Sequence, residues 1–217
     1  EAVNIAKQAD AVILVVGDNS NRHENGNKKS TTGENVDGAT LEIPGVQRQL
    51  IKAVEATGKP VVLVLYGPGI FSVNWAVENI AGIVQAWMPG PFAGEAVTNV
   101  LDGSFNPGGK LNVTIPRSAG QIPIFYNHKN GSGYASGSDA TSAAIFSGGY
   151  TDGLGTPLYP FGYGLSYSTF AYSNLAVEKT GEHQVTVSFD IKNTGKMDAS
   201  EIAQVYVHDV ESSVPRP

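Results

Sequence analysis

Residues 41–67, LEIPGVQRQLIKAVEATGKPVVLVLYG, contain a helix pattern that leads directly into an apolar strand pattern. Pro44 stands where the first turn of a helix tolerates a missing backbone N–H. Helical spacing then relates the apolar side chains of Val46, Leu50, Ile51 and Val54, until Gly58 and Pro60 end the pattern. The run at 61–67 is continuous and rich in β-branched residues, which is typical of a strand buried on both faces of a sheet. The stretch therefore predicts a helix followed by a central strand.

The same alternation extends to both sides of this stretch. Residues 11–17, AVILVVG, and 81–87, AGIVQAW, are apolar runs of the same kind, and we predict that they too lie in the middle of the sheet. Further helices are predicted at 71–77 and at 92–101, the second opened by Pro91. This order predicts an α/β fold with a mostly parallel sheet flanked by helices and right-handed connections.

The second half of the chain changes character. From 106 to 167 periodicity disappears, and glycine, proline, serine and aromatic residues dominate, which predicts a long, ordered, active-site loop. After 168, apolar–polar alternation with turn signals predicts about three strands of an antiparallel β-sandwich, where a complete one needs about seven. We therefore predict an α/β domain over 1–167 and an incomplete β-sandwich over 168–217.

Composition excludes several classes of function. A net charge of −6, with no basic cluster beyond Lys28-Lys29, argues against binding to nucleic acid or to an anionic membrane. No run approaches the roughly 18–20 apolar residues of a membrane-spanning helix. The chain has no cysteine, and its four histidines lack metal-ligand spacing. We expect neither a metal nor another cofactor.

The loop after the first predicted strand, residues 18–41, lies at the edge where parallel sheets bind ligands. It contains Glu34, which on its own pattern is ordinarily a solvated loop residue. Glu24, with His23 beside it, competes with Glu34 for a catalytic role, and Asp37 is typical of an Asx turn.

Two further blocks of sequence, together with the opening stretch, resemble a known protein family. They are AWMPGPFAGEAVTNVLDGSFNPGGKLNVTIPRSAGQIPIFYNHKNG at 86–131 and TPLYPFGYGLSYSTF at 156–170. In order and over nearly the whole chain, these blocks resemble the carboxyl-terminal half of glycoside hydrolase family 3, the β-glucosidase and β-xylosidase family. The resemblance implies an enzyme made of a (β/α)8 barrel with an aspartate nucleophile, an α/β sandwich domain with the general acid/base, and often a fibronectin type III-like domain. Only the last two are represented in this chain.

The resemblance also implies the chemistry and the partners. The enzyme would be a retaining β-glycosidase that hydrolyses terminal β-linked sugars of oligosaccharides or glycosides, in the periplasm or outside the cell. Such an enzyme needs two carboxyl groups about 5–5.5 Å apart. Its nucleophile would lie in the barrel domain, the implied partner of this chain, so we expect the chain alone to hydrolyse nothing and to fold only marginally at its carboxyl end.

Glu34 matches the position of the family's acid/base. In similar enzymes this glutamate commonly stands in a GE step before an LPG that opens the next helix, and here Gly33-Glu34 precedes Ile43-Pro44-Gly45. A general acid at this position would need its pKa raised by burial or by a neighbouring carboxylate.

The sequence also departs from the family pattern. Gly38 and Gly149 stand where relatives often have arginine, so two bidentate partners for carboxylates or sugar hydroxyls are missing. Outer sugar subsites are predicted to involve Asp18, His128, Lys129, Tyr134 and Tyr150. For the two tyrosines, anchoring of the long loop is an equally good interpretation.

Two other functions remain open from the sequence. A non-catalytic carbohydrate-binding or scaffolding module with a decayed catalytic loop is favoured by the missing arginines. A flavodoxin-like nucleotide binder rests on fold analogy alone, because the chain has no phosphate-loop motif.

Overall fold

The computed structural model describes residues 1–19, 31–32, 38–127, 150 and 152–212. Within these residues the chain forms two compact units. The first is built mainly from Glu1–Ala93 and Val113–Phe161, and the second from Gly94–Asn112 and Gly162–Glu211.

The first unit is a three-stranded parallel sheet with helices. Its strands, in the spatial order β1-β2-β3, are β1 (Val12–Gly17), β2 (Val61–Tyr66) and β3 (Gly82–Trp87). Its helices are α1 (Ala2–Gln8), α2 (Gln47–Glu55) and α3 (Asn74–Asn79), and a short 3-10 turn follows at Gly90–Phe92. The predicted α/β class and the parallel direction of the sheet are confirmed.

The core of this unit centres on β2. Leu63, Val64 and Leu65 are almost fully buried, and α2 adds Ile51 and Val54. Each such side chain contributes about 1.5–3 kcal/mol by leaving water. The hydrophobic stripe of α2 and the apolar run of β2 therefore form one core, as the opening stretch of sequence predicts.

The prediction that all three strands lie in the middle of the sheet is wrong for β1 and β3. Both are edge strands within the described sheet, and the side chains of Ile13 and Val15 are 58% and 59% exposed. The apolar runs of the three strands are alike, and a run alone does not show on which side a strand has a neighbour.

Helix boundaries differ from the predicted ones where backbone groups serve other partners. The predicted helix at 71–77 begins only at Asn74, because the Phe71 carbonyl accepts from the Val73 N–H (3.1 Å) in a tight turn, and the first helical bond runs from the Val77 N–H to the Val73 carbonyl (3.1 Å). Helix α4 (Ala93–Leu101) follows the 3-10 turn, and α1 had no predicted counterpart.

The second unit contains an antiparallel pair, β4 (Phe170–Gly181) and β5 (Gln184–Asn193). The third predicted strand, SEIAQVYVHD at 200–209, is not formed: this described segment takes part in no ladder. A strand persists only where a neighbour pairs its N–H and C=O groups, and alternation in the sequence does not provide that neighbour.

Asn106 joins the two glycine-rich blocks inside the second unit. Its side chain is buried, and Oδ1 accepts hydrogen bonds from the Ser166 hydroxyl and the Tyr167 N–H, both at 2.8 Å. Its Nδ2 donates to Ser168 Oγ (3.2 Å). Lys110 adds a hydrogen bond from Nζ to the Gly164 carbonyl (2.8 Å). The blocks NPGGKL and FGYGLSY thus have a structural role here.

Among the described residues, none of the helices combines the length and the apolar character needed to cross a membrane.

Candidate active site

The carboxyl ends of the three parallel strands define the edge of the candidate site. Gly17 pairs with Tyr66, and Tyr66 with Trp87, so the strand ends lie level. The N–H of Gly67 donates to the Trp87 carbonyl (2.9 Å), and Trp87 itself has φ 54°. A positive φ is rare for a bulky residue and is found preferentially at functional sites. Ligands bind at this edge of parallel sheets.

Asp18 is the first residue beyond β1 at this edge. Its Oδ1 lies 3.4 Å from the backbone nitrogen of Gly69, and a side chain on either Gly67 or Gly69 would overlap its carboxylate. Burial raises the pKa of the Asp18 carboxyl, and hydrogen bonds from Gly69, from its own N–H and from the Thr32 hydroxyl oppose that rise. The carboxylate is therefore packed against the turn after β2.

The loop after β1 is closed on itself near its start. The N–H of Asn19 donates to Thr31 Oγ1 (2.9 Å), and the N–H of Thr31 donates to the Asn19 carbonyl (3.0 Å).

Gln47, in the first turn of α2, connects both ends of this loop. Its Oε1 accepts from the Gly17 N–H (2.8 Å), and its Nε2 donates to the carbonyls of Gly17 (2.7 Å) and Pro44 (3.0 Å). Sequence reasoning missed Gln47. The only signal was a polar residue at the start of an amphipathic helix, which is common.

The second long loop is held in a similar way. Gln121 is buried, its Oε1 accepts from the Arg117 N–H (2.6 Å), and its Nε2 donates to the carbonyls of Leu154 (2.9 Å) and Thr156 (3.2 Å). The hydroxyl of Tyr150 donates to the Gly120 carbonyl (2.8 Å). Within the predicted loop 106–167, residues 150–156 are thereby bonded to residues 117–121.

Most of the predicted site residues lie outside the described residues. These are Glu34, its competitor Glu24 with His23, and Asp37, His128, Lys129, Tyr134 and Gly149. Of the predicted substrate-binding residues, the structure describes Asp18, at the strand edge, and Tyr150, near the Gln121 cluster. The catalytic role of Glu34 stays a prediction, and so do the substrate-binding roles of Asp18, His128, Lys129, Tyr134 and Tyr150.

A shallow groove of about 230 Å³ lies beside α2 and α3 in the first unit. Its lining includes Trp75 and the exposed ion pair between Arg48 and Glu42 (3.3 Å). Lys52 stands over the Trp75 ring, 5.1 Å from its centroid. Within the part of the chain that the structure describes, no cluster of three or more histidine or carboxylate side chains could hold a metal ion.

The fold and this edge define the class: an α/β domain whose long loops stand at the carboxyl ends of parallel strands, where such domains bind ligands. The glycosyl hydrolase family 3 C-terminal domain matches residues 1–167, and the chain belongs to this family. The predicted family membership is confirmed.

The match to individual relatives extends over the whole chain. It is 40% identical to a β-xylosidase of Formosa agariphila and 39% identical to a periplasmic β-glucosidase of Salmonella typhimurium, in both cases over 100% of this chain. It spans 28% and 27% of the length of these two relatives. The structure of a β-glucosidase from Listeria innocua in complex with glucose is similar, with a TM-score of 0.80, 33% identity, and coverage of 100% of this chain and 29% of that one. The chain is thus homologous to one part of family 3 β-glycosidases.

Proposed function

We propose that this chain provides the general acid/base, Glu34, of a retaining β-glycosidase that releases terminal β-linked sugars such as glucose or xylose. One observation carries the proposal: the loop with the Gly33-Glu34 step follows Gly17 at the carboxyl end of β1 and ends at Pro44 before α2, and Gln47 is bonded to both Gly17 and Pro44. Names of relatives at 39–40% identity supply the substrate class.

The reaction assigns two tasks to Glu34. As a carboxylic acid it protonates the departing glycosidic oxygen while a nucleophilic aspartate attacks the anomeric carbon. As a carboxylate it then takes a proton from the water that hydrolyses the glycosyl-enzyme. The aspartate belongs to the proposed barrel partner, so the isolated 217-residue chain should show no turnover. Hydrolysis of an aryl β-glycoside by that chain alone would contradict this part of the proposal.

Asp18 and Tyr150 are the described members of the proposed sugar subsites. A carboxylate has about four acceptor positions, and the Gly69 N–H, the N–H of Asp18 itself and the Thr32 hydroxyl use at most three of them, so the carboxylate can still accept from a sugar hydroxyl. The hydroxyl of Tyr150 is engaged with Gly120, which leaves the aromatic face for stacking on a sugar ring. His128, Lys129 and Tyr134 complete the proposed subsites.

The direct test uses the full-length gene product with aryl β-glucoside and β-xyloside, comparing wild type with Glu34→Gly, with and without azide. We expect turnover to fall by about 100-fold to 10,000-fold, as is usual for a lost acid/base. Azide should restore it, because the anion enters the vacated space and attacks the glycosyl-enzyme, giving a glycosyl azide.

Glu24→Gly is the matched control, since this glutamate lies on the same loop. If Glu24→Gly rather than Glu34→Gly loses activity and is rescued by azide, the acid/base is Glu24. The alternative function, a non-catalytic carbohydrate-binding module, is favoured by Gly38 at a position where relatives often have arginine. Wild-type protein that binds these glycosides without turning any of them over would establish that alternative.

A further inference from the structure

Gln47 uses its entire side-chain amide to bond backbone groups at the two ends of one loop. A primary amide offers one acceptor oxygen and two N–H donors. The oxygen takes the Gly17 N–H, one donor goes to the Gly17 carbonyl, and the other goes to the Pro44 carbonyl. All three distances are 3.0 Å or shorter. The oxygen and both N–H groups of the amide are therefore engaged.

The position of Gly17 explains why a side chain is needed there. In a parallel pair each residue directs both of its backbone groups to one side, and the next residue directs its own to the other. The N–H of Asp18 donates to Tyr66 of β2 (3.1 Å), so the N–H and C=O of Gly17 face the other side, where the described sheet has no further strand. Gln47 pairs both groups as a neighbouring strand would.

The Pro44 end is held from a second direction as well. The Ser72 N–H donates to the Leu41 carbonyl (2.8 Å), which ties the returning segment to the region before α3. At the outgoing end, Asp18 is packed against the turn at Gly67 and Gly69. Gln47 alone bonds both ends among these contacts, so it fixes the separation between Gly17 and Pro44.

We propose that Gln47 is a positioning residue for the general acid: it holds Gly17 and Pro44 at the spacing from which the loop presents Glu34 to the glycosidic oxygen. This inference rests on the proposed role of Glu34. A catalytic group must be placed within a fraction of an ångström, and a misplacement of about 1 Å can cost about 100-fold in rate. Because the amide of Gln47 is bonded to backbone groups, the proposed role is exerted through the loop ends and needs no contact with the sugar.

The test compares Gln47→Met and Gln47→Glu with wild type in the full-length protein. Methionine has nearly the same shape but forms none of the three hydrogen bonds, and glutamate retains only the acceptor. The substrates are aryl glycosides of one sugar whose leaving groups range from dinitrophenolate, which departs without a proton, to phenolate, which needs one. Rates are normalised to the folded fraction from thermal unfolding.

A misplaced general acid should selectively slow the hydrolysis of glycosides that have poor leaving groups. We expect kcat/KM to fall about tenfold or more for the phenyl glycoside and less than about threefold for the dinitrophenyl glycoside, because only the former draws on general acid catalysis. Gln47→Glu should show the same trend, and it keeps the proposal testable if Gln47→Met folds poorly.

Val54→Ala is the matched control. Val54 lies on the same helix and is 1% exposed, so its truncation destabilises the unit without removing a bond to the loop ends. Its effect on kcat/KM should be the same for all leaving groups. If Gln47→Met behaves like Val54→Ala, the positioning role is refuted and Gln47 only stabilises the fold.

Glu34→Gly, measured on the same substrate series, separates the two proposals. Azide rescue and a steep leaving-group dependence in Glu34→Gly, beside a flat dependence in Gln47→Met, would overturn only the role of Gln47. An unchanged Glu34→Gly would overturn the proposed function, and with it the assignment of Gln47 to this acid.

Discussion

Asp18 is seated in the turn that follows β2, with Oδ1 3.4 Å from the backbone nitrogen of Gly69. A Cβ on Gly69 would overlap Oδ2 of the same carboxylate, and a Cβ on Gly67 would overlap Oδ1. Gly67 also has φ +134°, whereas at Gly69 the close approach alone excludes a side chain. The end of β1 and the turn after β2 therefore depend on each other.

Gly69→Ala should destabilise the first unit by about 1–3 kcal/mol, because the added methyl group must displace the Asp18 carboxylate or shift the turn. Denaturant unfolding of the variant and wild type measures this free energy. In the double variant with Asp18→Ala, the carboxylate is gone and the cost of the alanine should shrink, so the two changes should be non-additive.

Gly94→Ala is the control for this prediction. Gly94 lies in α4, and a Cβ there would meet nothing within 4 Å. Alanine should stabilise this helix by about 0.5–1 kcal/mol. A Gly69→Ala variant as stable as Gly94→Ala would show that the carboxylate does not occupy the turn.

The free energy of unfolding should depend on pH because the pKa of the Asp18 carboxyl is raised in the folded state. Burial raises the pKa of its carboxyl in the folded state above the value in the unfolded chain, so the folded state binds the proton more tightly. The free energy of unfolding then falls as pH rises from the unfolded-chain pKa to the raised one, and stays lowered above it. Asp18→Asn removes this slope.

The measurement is the difference in unfolding free energy between wild type and Asp18→Asn, followed from about pH 3 to pH 7. Wild type should gain on the variant as the pH falls through the window between the two pKa values. If wild type instead loses stability relative to Asp18→Asn as the pH falls, the carboxylate is stabilised by its hydrogen bonds more than it is penalised by burial.

The class of fold can be predicted from the sequence because this class depends on local patterns of apolar residues. The apolar runs of β1, β2 and β3 and the stripe on α2 report burial, and their alternation implies a parallel sheet. Which strand has neighbours on both sides is a property of the assembled sheet. The exposure of Ile13 and Val15 on β1, and the absence of a third strand from the described segment 200–209, both depend on such neighbours.

The candidate site shows a different limit. The Gly33-Glu34 step is found through resemblance over long blocks, whereas Gln47 and Gln121 carry no such signal. Each acts by reaching main-chain groups 30 or more residues away, such as Gly17 for Gln47 and Leu154 for Gln121. A polar side chain in a helical turn reads as an exposed residue until its partners are known.

Gln121→Met should destabilise the first unit by about 2–4 kcal/mol, because it leaves the half-buried Arg117 N–H and the carbonyls of Leu154 and Thr156 without this partner. Unfolding by denaturant tests this. Gln184→Met, on the exposed strand β5, is the matched control and should change stability by no more than about 0.5 kcal/mol. Equal effects of the two substitutions would mean that the Gln121 hydrogen bonds contribute nothing net.

Asn106 allows a test inside the second unit that separates its acceptor from its donor. Asn106→Ala removes both and should cost about 2–4 kcal/mol, since the Tyr167 N–H and the Ser166 hydroxyl lose their common acceptor. Asn106→Asp keeps that acceptor. It also buries a carboxylate that faces Ser168 Oγ, whose hydroxyl already donates to the Met197 carbonyl (2.6 Å).

Hydrogen exchange at the Tyr167 amide distinguishes the two Asn106 variants, because this amide donates directly to Oδ1. The alanine variant should lose protection there, while the aspartate variant should keep it even though both are destabilised. Asn79→Ala, which removes one exposed bond to the Trp75 carbonyl, should cost less than about 1 kcal/mol and leave Tyr167 unaffected. Retained protection in Asn106→Ala would mean that Tyr167 is held by groups other than Asn106, and that the NPGGKL block does not organise the segment before β4.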